Sequence, residues 1–495
     1  MIIKFVKKYW AQLLACIAAL IMFFRSLPMF YTNDDFFFLK IAKVTSVGDF
    51  INFFNPIKDP EGIGVYRPLT LRVYYFLTVQ FFHLSPLPLR IISFVTFFLI
   101  IFLVWKLAKM LTGSSKVAAL SSLLYAVSVT HFGQLFYIGM FQELCLTALF
   151  LASIICFIKY AINAKKKYQF GKLVMSFILF VLAIMSKETA VVLPFVLILA
   201  FIYLKLVKKI KMSAKVIIYS LLPYFVVLGT YLFIHFRYFG LISGDSYVWD
   251  FSPAKALNTL TWYGLWSLNL PGMLLDFIGP GIHINPNLLK YWSNEIIPIF
   301  IFFVLQIFVI LGLIIKLVRS DKKSNSKWYF VIFSILWFVG TLVPVLFLPI
   351  HKFSYYLTLP LVGMVFILSY LLADLKPRVY IPFLIIWITL SILSLHLTIE
   401  TDWIVRGENV SQNVYSYFSQ NRENFANKNI VFIDTPLDAN LPWSPTATLK
   451  TVLSDQNFFE VFYPNLSTKV KYVGLTQIKK SSDTQVINSR QFLGY

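Results

Sequence analysis

The chain has 495 residues, of which 58% are hydrophobic and only 13% charged, and its mean hydropathy is +0.74. Soluble domains are nearer half apolar and a quarter charged, so this composition excludes an ordinary soluble domain and predicts an integral membrane protein. A net charge of +22 would favour a nucleic-acid partner in a soluble protein, but here the basic residues concentrate in the connections between apolar stretches. We therefore expect no nucleic-acid partner.

Apolar stretches of roughly membrane-spanning length follow one another along the chain. They lie at 9–29, 87–105, 117–137, 141–160, 172–186, 189–204, 216–236, 296–315, 328–348, 355–373 and 379–398. They predict an all-α polytopic membrane protein with about eleven transmembrane helices. The first stretch follows Lys4, Lys7 and Lys8 and has no small-residue cleavage site after it. We therefore expect a retained first span and a cytoplasmic N-terminus.

The connections between these stretches alternate in charge. Those at 106–116, 159–172, 205–215, 316–327 and 376–378 are rich in Lys and Arg, with Asp321 as their only acid. The alternate connections hold most of the acids of residues 1–400: Asp34, Asp35, Asp49, Asp59, Glu61, Glu188, Asp245, Asp250, Asp276 and Glu295. The positive-inside rule places the basic connections in the cytoplasm and the acidic ones outside. An odd number of spans then places the C-terminal region on the outer side of the membrane. We expect this membrane to be the plasma membrane.

Two outer loops are long enough to hold helices of their own. The first, residues 30–86, ends in the stretch 68–84, which is short for a span and is interrupted by polar side chains. We predict that this stretch is a helix on the outer membrane surface. The second loop, residues 239–294, mixes tryptophans with Pro and Gly, which indicates interfacial or re-entrant helices.

The composition changes near residue 401, where charged residues return and the long apolar runs stop. Residues 1–400 are therefore predicted to form a transmembrane domain, and residues 401–495 a small extracytoplasmic α/β domain. Within the second domain, residues 430–433 are typical of a strand, and 409–427 and 446–453 are compatible with helices.

Four outward-facing features contain side chains suited to chemistry at the membrane surface. They are Asp34-Asp35 after the first span, Tyr66-Arg67-Pro68-Leu69 in the first outer loop, Ser186-Lys187-Glu188-Thr189 between two spans, and the stretch from His351 to Tyr356 between two others. Group transfer from a lipid phosphate needs a carboxylate to deprotonate the acceptor and cations to stabilise the phosphate leaving group. The set contains both kinds of side chain on one predicted side.

Each feature also has a purely structural interpretation. The two acids can be solvated loop residues or a helix cap, Arg67 an interfacial anchor, and Lys187 with Glu188 a surface ion pair. The acids can also hold a divalent metal through their oxygens, although two carboxylates alone specify none. The cysteines Cys16, Cys145 and Cys156 lie in apolar stretches without metal-ligand spacing, so we expect them to be packing residues.

The acidic pair, the Tyr66-Arg67-Pro68-Leu69 motif and Ser186-Lys187-Glu188 before a proline-containing span resemble the GT-C-fold glycosyltransferases that use polyprenyl-phosphate sugars. Over residues 1–400 the chain is similar to the protein O-mannosyltransferase family and the lipid A aminoarabinose transferases. The resemblance implies that Asp34 is the catalytic carboxylate with Asp35 beside it. It also implies phosphate-binding roles for Arg67 and, as further candidates, Lys187, His351 and Tyr355, with Tyr66 and Glu188 in support.

The reaction implied by the resemblance is inverting transfer of a sugar from a polyprenyl-phosphate donor to an acceptor hydroxyl on the outer face. Which of the adjacent acids is the base stays open, because they can titrate as a coupled pair. The acceptor, a protein, lipid or glycan, also stays open, since the chain lacks the tetratricopeptide repeats of some relatives. The alternatives are a flippase of lipid-linked sugars and a polysaccharide polymerase or ligase. A purely structural membrane protein would not explain the one-sided cluster.

Overall fold

The computed structural model describes residues 2–57, 64–162, 169–210, 212–241, 244, 246–279, 283–319, 325–425, 428–466, 470–474 and 483–494. For residues 2–8 and 325–326 it describes the backbone alone. Within these ranges the fold is mainly helical and contains two small β-sheets. Four acids used in the charge pattern, Asp59, Glu61, Asp245 and Asp321, lie outside the described residues.

Eight of the described helices are long and apolar enough to cross a membrane. These candidate spans are Tyr9–Ser26, Leu87–Thr112, Ile138–Ile162, Glu188–Val207, Ala214–Tyr238, Asn287–Arg319, Lys327–Leu346 and Pro377–Thr401. Two shorter apolar helices, Phe170–Ile184 and Leu361–Ala373, coincide with two further predicted spans. The predicted fold class, a helical polytopic membrane protein with a small α/β region, is confirmed. The total of about eleven spans stays a prediction.

Helices make up most of the described chain. The strands form one small sheet within the loop 239–294 and another in the C-terminal region. In chain order the helices are α1 (Ile2–Phe23), α2 (Asp34–Ile41), α3 (Val47–Asn52), α4 (Tyr74–Phe81), α5 (Leu87–Thr112), α6 (Ser115–Ala126), α7 (Phe132–Phe136), α8 (Phe141–Ile162), α9 (Phe170–Ile184), α10 (Leu193–Val207), α11 (Ala214–Tyr238), α12 (Pro253–Trp266), α13 (Leu274–Phe277), α14 (Asn287–Arg319), α15 (Asn325–Leu346), α16 (Leu361–Ala373), α17 (Pro377–Thr401), α18 (Trp403–Gln420), α19 (Pro445–Val452) and α20 (Asn457–Phe462). The strands are β1 (Ile278–Gly279), β2 (His283–Ile284), β3 (Asn429–Ile433), β4 (Val470–Val473) and β5 (Thr484–Asn488).

The turn between α5 and α6 shows how local sequence sets these boundaries. Gly113 has a φ of 77°, a left-handed conformation that glycine adopts without strain, and its N–H bonds to the carbonyl of Lys109. The next residue, Ser114, caps α6, because its side chain accepts a hydrogen bond from the N–H of Val117. The two helices therefore reverse direction within three residues and pack against each other.

The prediction of one continuous span over 117–137 is wrong. Helix α6 ends at Ala126, and the chain continues in short helical turns to Met140. The N–H of Val129 bonds to the Asn269 amide oxygen at 3.3 Å and to the Ser391 hydroxyl at 3.0 Å, and not to a carbonyl of the preceding turn. Tertiary hydrogen bonds thus replace helical ones, and the irregular segment is buried in protein.

The two outer loops contain the short helices predicted from their sequences. Residues 68–73 form a π-helical turn that leads into α4, and neither is long enough to count among the candidate spans. The loop 239–294 contains α12, α13 and the β1–β2 hairpin. On α12, the side chains of Trp262 and Trp266 are buried against the membrane helices.

The C-terminal residues fold around a three-stranded sheet. Its strand order is β4-β3-β5, and both outer strands pair in parallel with β3. The connection from β3 to β4 contains α19 and α20. Helix α18 buries Ile404, Gly407, Val410, Ser411, Val414 and Phe418, a repeat of three to four residues that matches one helix face. The predicted strand at 430–433 and helix at 446–453 are confirmed.

The C-terminal region packs directly on the first outer loop. The N–H of Asn33 donates to the carbonyl of Val452 at 2.8 Å, and the rings of Phe36 and Phe458 meet at 5.1 Å. Helix α17 ends at Thr401, and Asp402 caps α18 immediately after it. A domain boundary near residue 401 stays a prediction. Through these contacts the C-terminal region packs against the residues on either side of Asp34.

Candidate active site

The two adjacent acids at the start of α2 occupy different environments. Asp35 is fully buried, and its carboxylate accepts hydrogen bonds from the Tyr75 hydroxyl at 2.5 Å and from the N–H of Thr32 at 3.1 Å. Burial raises the pKa of Asp35 to about 7, because the charged form loses its water, although the two hydrogen bonds oppose this shift. With both oxygens engaged, Asp35 holds the loop in place.

Asp34 is the accessible member of the pair. Its side chain is exposed, but protein surrounds the carboxyl group, and the resulting loss of water raises its pKa above the ordinary range. The hydroxyl of Tyr137 lies beside it and opposes that shift. Tyr247 lies close enough to both Asp34 and the Arg67–Glu188 pair for their charges to act on its hydroxyl. Tyr247 is therefore near both the carboxylate and the predicted cationic residue Arg67.

An unusual backbone conformation precedes Asp34. Asn33 has a φ of 49° and a ψ of −122°, which L-residues rarely adopt, and its side chain accepts a hydrogen bond from Thr32 at 2.7 Å. Helix α18 fits against this turn at Gly407, where a Cβ atom would overlap the Thr32 hydroxyl. The Ser411 hydroxyl donates to the carbonyl of Tyr31. The turn that presents Asp34 is therefore held by contacts from a distant part of the chain.

Arg90 connects this turn to two other segments. Its guanidinium, which is 1% exposed, donates to the carbonyls of Met29 and Phe30 at 2.9 and 2.8 Å. It also donates to the carbonyls of Leu135 and Phe136 and forms a 2.6 Å ion pair with Glu408 of α18. One buried cation thus links the Asp34 loop, the segment before Tyr137 and the C-terminal region. Sequence reasoning missed it, because a single Arg within an apolar stretch resembles a membrane anchor.

The predicted cationic residues Arg67 and Lys187 lie together, and each has a carboxylate partner. Arg67 pairs with Glu188 through two hydrogen bonds, one of them 2.6 Å from Nε, and its Nη1 donates to Gln142. Lys187 pairs with Glu143, and both side chains are 3% exposed. The four charges sum to zero, which lowers the cost of burying them. Gln142 and Glu143 were not among the predicted site residues, because nothing in the sequence connects them to Lys187.

The predicted His351 and Tyr355 lie on the other side of Lys187. Lys187 Nζ lies 4.6 Å from the ring centre of Tyr356, and the Tyr356 hydroxyl lies 2.9 Å from His351 Nε2. Ser246 contacts His351 Nδ1 at 2.6 Å. Burial, together with the charges of Lys187 and Arg67, lowers the pKa of His351 to about 4, so the ring is neutral near pH 7. Its observed contacts join the long outer loop to the stretch before α16.

Tyr355 contributes to the same cluster through its backbone and its ring. The ring stacks on Phe353 at 4.9 Å and packs against Gly133, and its carbonyl accepts a hydrogen bond from Gln134. Tyr355 also lies within electrostatic reach of Tyr137, the neighbour of Asp34. The cations Arg67 and Lys187 therefore lie in one cluster with His351 and Tyr355, and Asp34 lies within electrostatic reach of Tyr247, which Arg67 and Glu188 also influence.

An apolar groove opens beside the Arg67–Glu188 pair. It has a volume of about 260 Å³, lies between α9 and α11, and is lined at one end by Tyr66, Tyr231 and His235. Tyr231 and His235 lie near enough to Arg67 and Glu188 to interact electrostatically with them. The Tyr66 hydroxyl donates to the carbonyl of Phe54 at 3.0 Å, which fixes that end of the groove. Most of the other lining residues are apolar.

The acidic pair by itself is not a complete metal site. Both oxygens of Asp35 accept hydrogen bonds from protein groups. Within the described ranges, no third Asp, Glu, His or Cys side chain joins the two acids as a ligand. Mg²⁺ is commonly held by one or two carboxylates, with waters and substrate phosphates completing its shell, so these residues alone specify no metal. A divalent metal at Asp34 and Asp35 stays a prediction.

Comparison with known protein families gives a match in the N-terminal half of the chain. Residues 68–232, which are 165 of the 495 residues, match the family described as dolichyl-phosphate-mannose-protein mannosyltransferase. The resemblance inferred from the sequence motifs is thereby confirmed. The matched mannosyltransferase family domain includes Arg90, Tyr137, Glu143, Lys187 and Glu188, and it begins directly after Arg67.

Solved structures of one archaeal protein resemble the whole chain at low sequence identity. The apo oligosaccharyltransferase of Archaeoglobus fulgidus is 12% identical, with a TM-score of 0.47, over 95% of this chain and 65% of that one. The same enzyme tethered to an acceptor peptide is 11% identical, with a TM-score of 0.46 and the same coverage. The chain thus spans just under two thirds of the length of that enzyme. No curated protein sequence matches the chain.

Proposed function

We propose that the chain is a glycosyltransferase of the plasma membrane that moves one sugar, of hexosyl or mannosyl type, from a polyprenyl-phosphate donor to an acceptor hydroxyl. The transfer takes place on the outer face, with the N-terminus in the cytoplasm and the C-terminal region outside. The observation that carries this proposal is the accessible carboxylate of Asp34 in one cluster with Arg67 and Lys187, beside an apolar groove. The mannosyltransferase family domain supports the same reaction class.

The donor would bind with its isoprenoid chain in the groove and its phosphate near Arg67. Within the described part of the chain, three of the five N–H groups of Arg67 are engaged by Glu188 and Gln142. The remaining two can donate to a phosphate oxygen without breaking the ion pair. Glu188 then fixes the plane of the guanidinium, which favours two parallel hydrogen bonds to one phosphate.

In the proposed reaction Asp34 takes the proton of the acceptor hydroxyl. The acceptor oxygen forms a bond to the anomeric carbon, and the bond from that carbon to the phosphate oxygen breaks, so the polyprenyl phosphate leaves with the electron pair. Attack from the side opposite the phosphate inverts the anomeric configuration. Arg67 and Lys187 stabilise the charge on the departing phosphate. The raised pKa of Asp34 makes it a stronger base than an ordinary aspartate.

The test uses the purified full chain in detergent with three radiolabelled donors: mannosyl-phosphate, glucosyl-phosphate and mannosyl-diphosphate polyprenols. We expect one of the monophosphate donors to lose its sugar to an acceptor and to release polyprenyl phosphate. Transfer of a sugar only from a diphosphate carrier would favour a polymerase or ligase. Movement of intact donor across the bilayer of liposomes without sugar release would favour a flippase. Either result would overturn the proposal.

Gly407 provides a test of how the Asp34 turn is held. We expect Gly407→Ala to lower kcat/KM by about 10- to 100-fold, because the new Cβ would displace Thr32 and with it the carboxylate two residues on. Enzyme kinetics and thermal unfolding of the same preparation measure this. Gly312→Ala is the control, since a Cβ there meets open space in the middle of α14. Equal activity of both variants would show that the turn tolerates the displacement.

A further inference from the structure

Tyr137 has a buried hydroxyl beside Asp34. Its side chain is 3% exposed, and within the described residues its Oη makes no hydrogen bond. A hydroxyl buried without a partner costs free energy, so such a group in a folded protein calls for an explanation. The residue lies between α7 and the turn that leads into α8, in the segment that Arg90 holds through the carbonyls of Leu135 and Phe136.

The ring of Tyr137 is held from two sides. A Cβ on Gly139 would lie 3.0 Å from its Cζ and 3.2 Å from its Oη, so glycine is needed for the ring to take this position. The indole of Trp403, at the start of α18, meets the ring edge-on at a centroid distance of 5.4 Å. These contacts fix the direction of the Tyr137 hydroxyl.

The hydroxyl points toward the acidic pair. It lies beside the carboxyl of Asp34 and lowers the pKa of that group, but without the geometry of a hydrogen bond. The other titratable groups that act on this region are Asp35, Tyr247, Tyr75 and Tyr355. Burial, together with the charges of Asp34 and Asp35, raises the pKa of Tyr137, so its phenol remains protonated and can donate a hydrogen bond.

We propose that Tyr137 is a second catalytic residue, which donates a hydrogen bond to the acceptor hydroxyl while Asp34 accepts the proton of that same hydroxyl. This inference rests on the proposed function. A hydroxyl oxygen has one proton and two lone pairs. With its O–H directed at Asp34 and one lone pair facing Tyr137, the second lone pair is left for the anomeric carbon. Tyr137 keeps its own proton throughout and orients the acceptor oxygen for attack.

The test compares Tyr137→Phe with Tyr224→Phe. Tyr224 is the matched control, because it is also fully buried with an unpartnered hydroxyl, but it packs between Phe177 and Phe180 on α9. We expect Tyr137→Phe to leave thermal stability unchanged and to lower kcat about 100-fold. Tyr224→Phe should keep the wild-type rate.

The pH dependence of kcat/KM supplies a readout that a structural role would not change. Asp34 must be deprotonated to act as the base, so activity falls as the pH drops through its pKa. Since the Tyr137 hydroxyl lowers that pKa, its removal should move the acidic limb of the profile to higher pH. Gly139→Ala, which displaces the ring but keeps the hydroxyl, should lower kcat as well.

The inference is overturned if Tyr137→Phe retains the rate and pH profile of the wild type, or if Tyr224→Phe loses as much activity. Its failure is distinct from that of the proposed function. If only the inference about Tyr137 fails, the wild-type protein still transfers sugar and Asp34→Asn does not. If the proposed function fails, Asp34→Asn transfers sugar like the wild type.

Discussion

Replacing Asp34 with asparagine is expected to lower kcat by about 10²- to 10⁴-fold, the usual contribution of a general base. The amide keeps the size of the side chain but cannot take a proton from the acceptor. Because Asp34 is exposed and makes no buried ion pair in the described structure, the variant should fold and bind donor as the wild type does. Single-turnover assays with labelled donor, alongside donor-binding measurements, separate the loss of chemistry from the loss of binding.

Two further variants make the result specific to Asp34. Asp49→Asn removes an acid from the same outer loop, where it caps α3, and should keep wild-type activity. Asp35→Asn replaces the buried acid that accepts from Tyr75 and Thr32, so it should lower stability and reduce activity less than Asp34→Asn. A larger loss of kcat in Asp35→Asn, with stability intact, would assign the base to Asp35.

Replacing Arg90 with methionine is expected to have the largest effect on stability, a loss of about 3–5 kcal/mol in the free energy of unfolding. The change leaves the Glu408 carboxylate buried without its cation and removes donors from the four carbonyls at Met29, Phe30, Leu135 and Phe136. Since these carbonyls flank both Asp34 and Tyr137, activity should fall with stability. Unfolding of the protein in mild detergent measures the first effect.

The controls separate the buried pair from ion pairs in general. Lys255→Met breaks the ion pair with Asp250, in which Lys255 is 58% exposed, and should leave the free energy of unfolding almost unchanged. The double change Arg90→Met with Glu408→Leu should recover part of the stability, because no lone charge then remains buried. If Arg90→Met costs as little as Lys255→Met, Arg90 does not hold these segments together.

Much of the fold was predictable from the sequence, because a bilayer imposes simple rules on it. Long apolar runs must form helices there, since no water is available to hydrogen-bond an exposed backbone. The strand at 430–433 and the helix at 446–453 follow from equally local patterns. The break in the predicted span over 117–137 was not predictable from the sequence. Asn269 and Ser391, far away in sequence, supply the hydrogen bonds that end the helix after Ala126.

The sequence by itself determined which residue types lie near the ends of the helices: two adjacent acids, Arg67, and Lys187 beside Glu188. Charge is costly in hydrocarbon, so its position along an apolar sequence already indicates a site. Only the tertiary structure decided which acid is accessible and which cation pairs with which carboxylate. Those outcomes depend on desolvation and on contacts across hundreds of residues, such as Arg90 with Glu408, which no local pattern encodes.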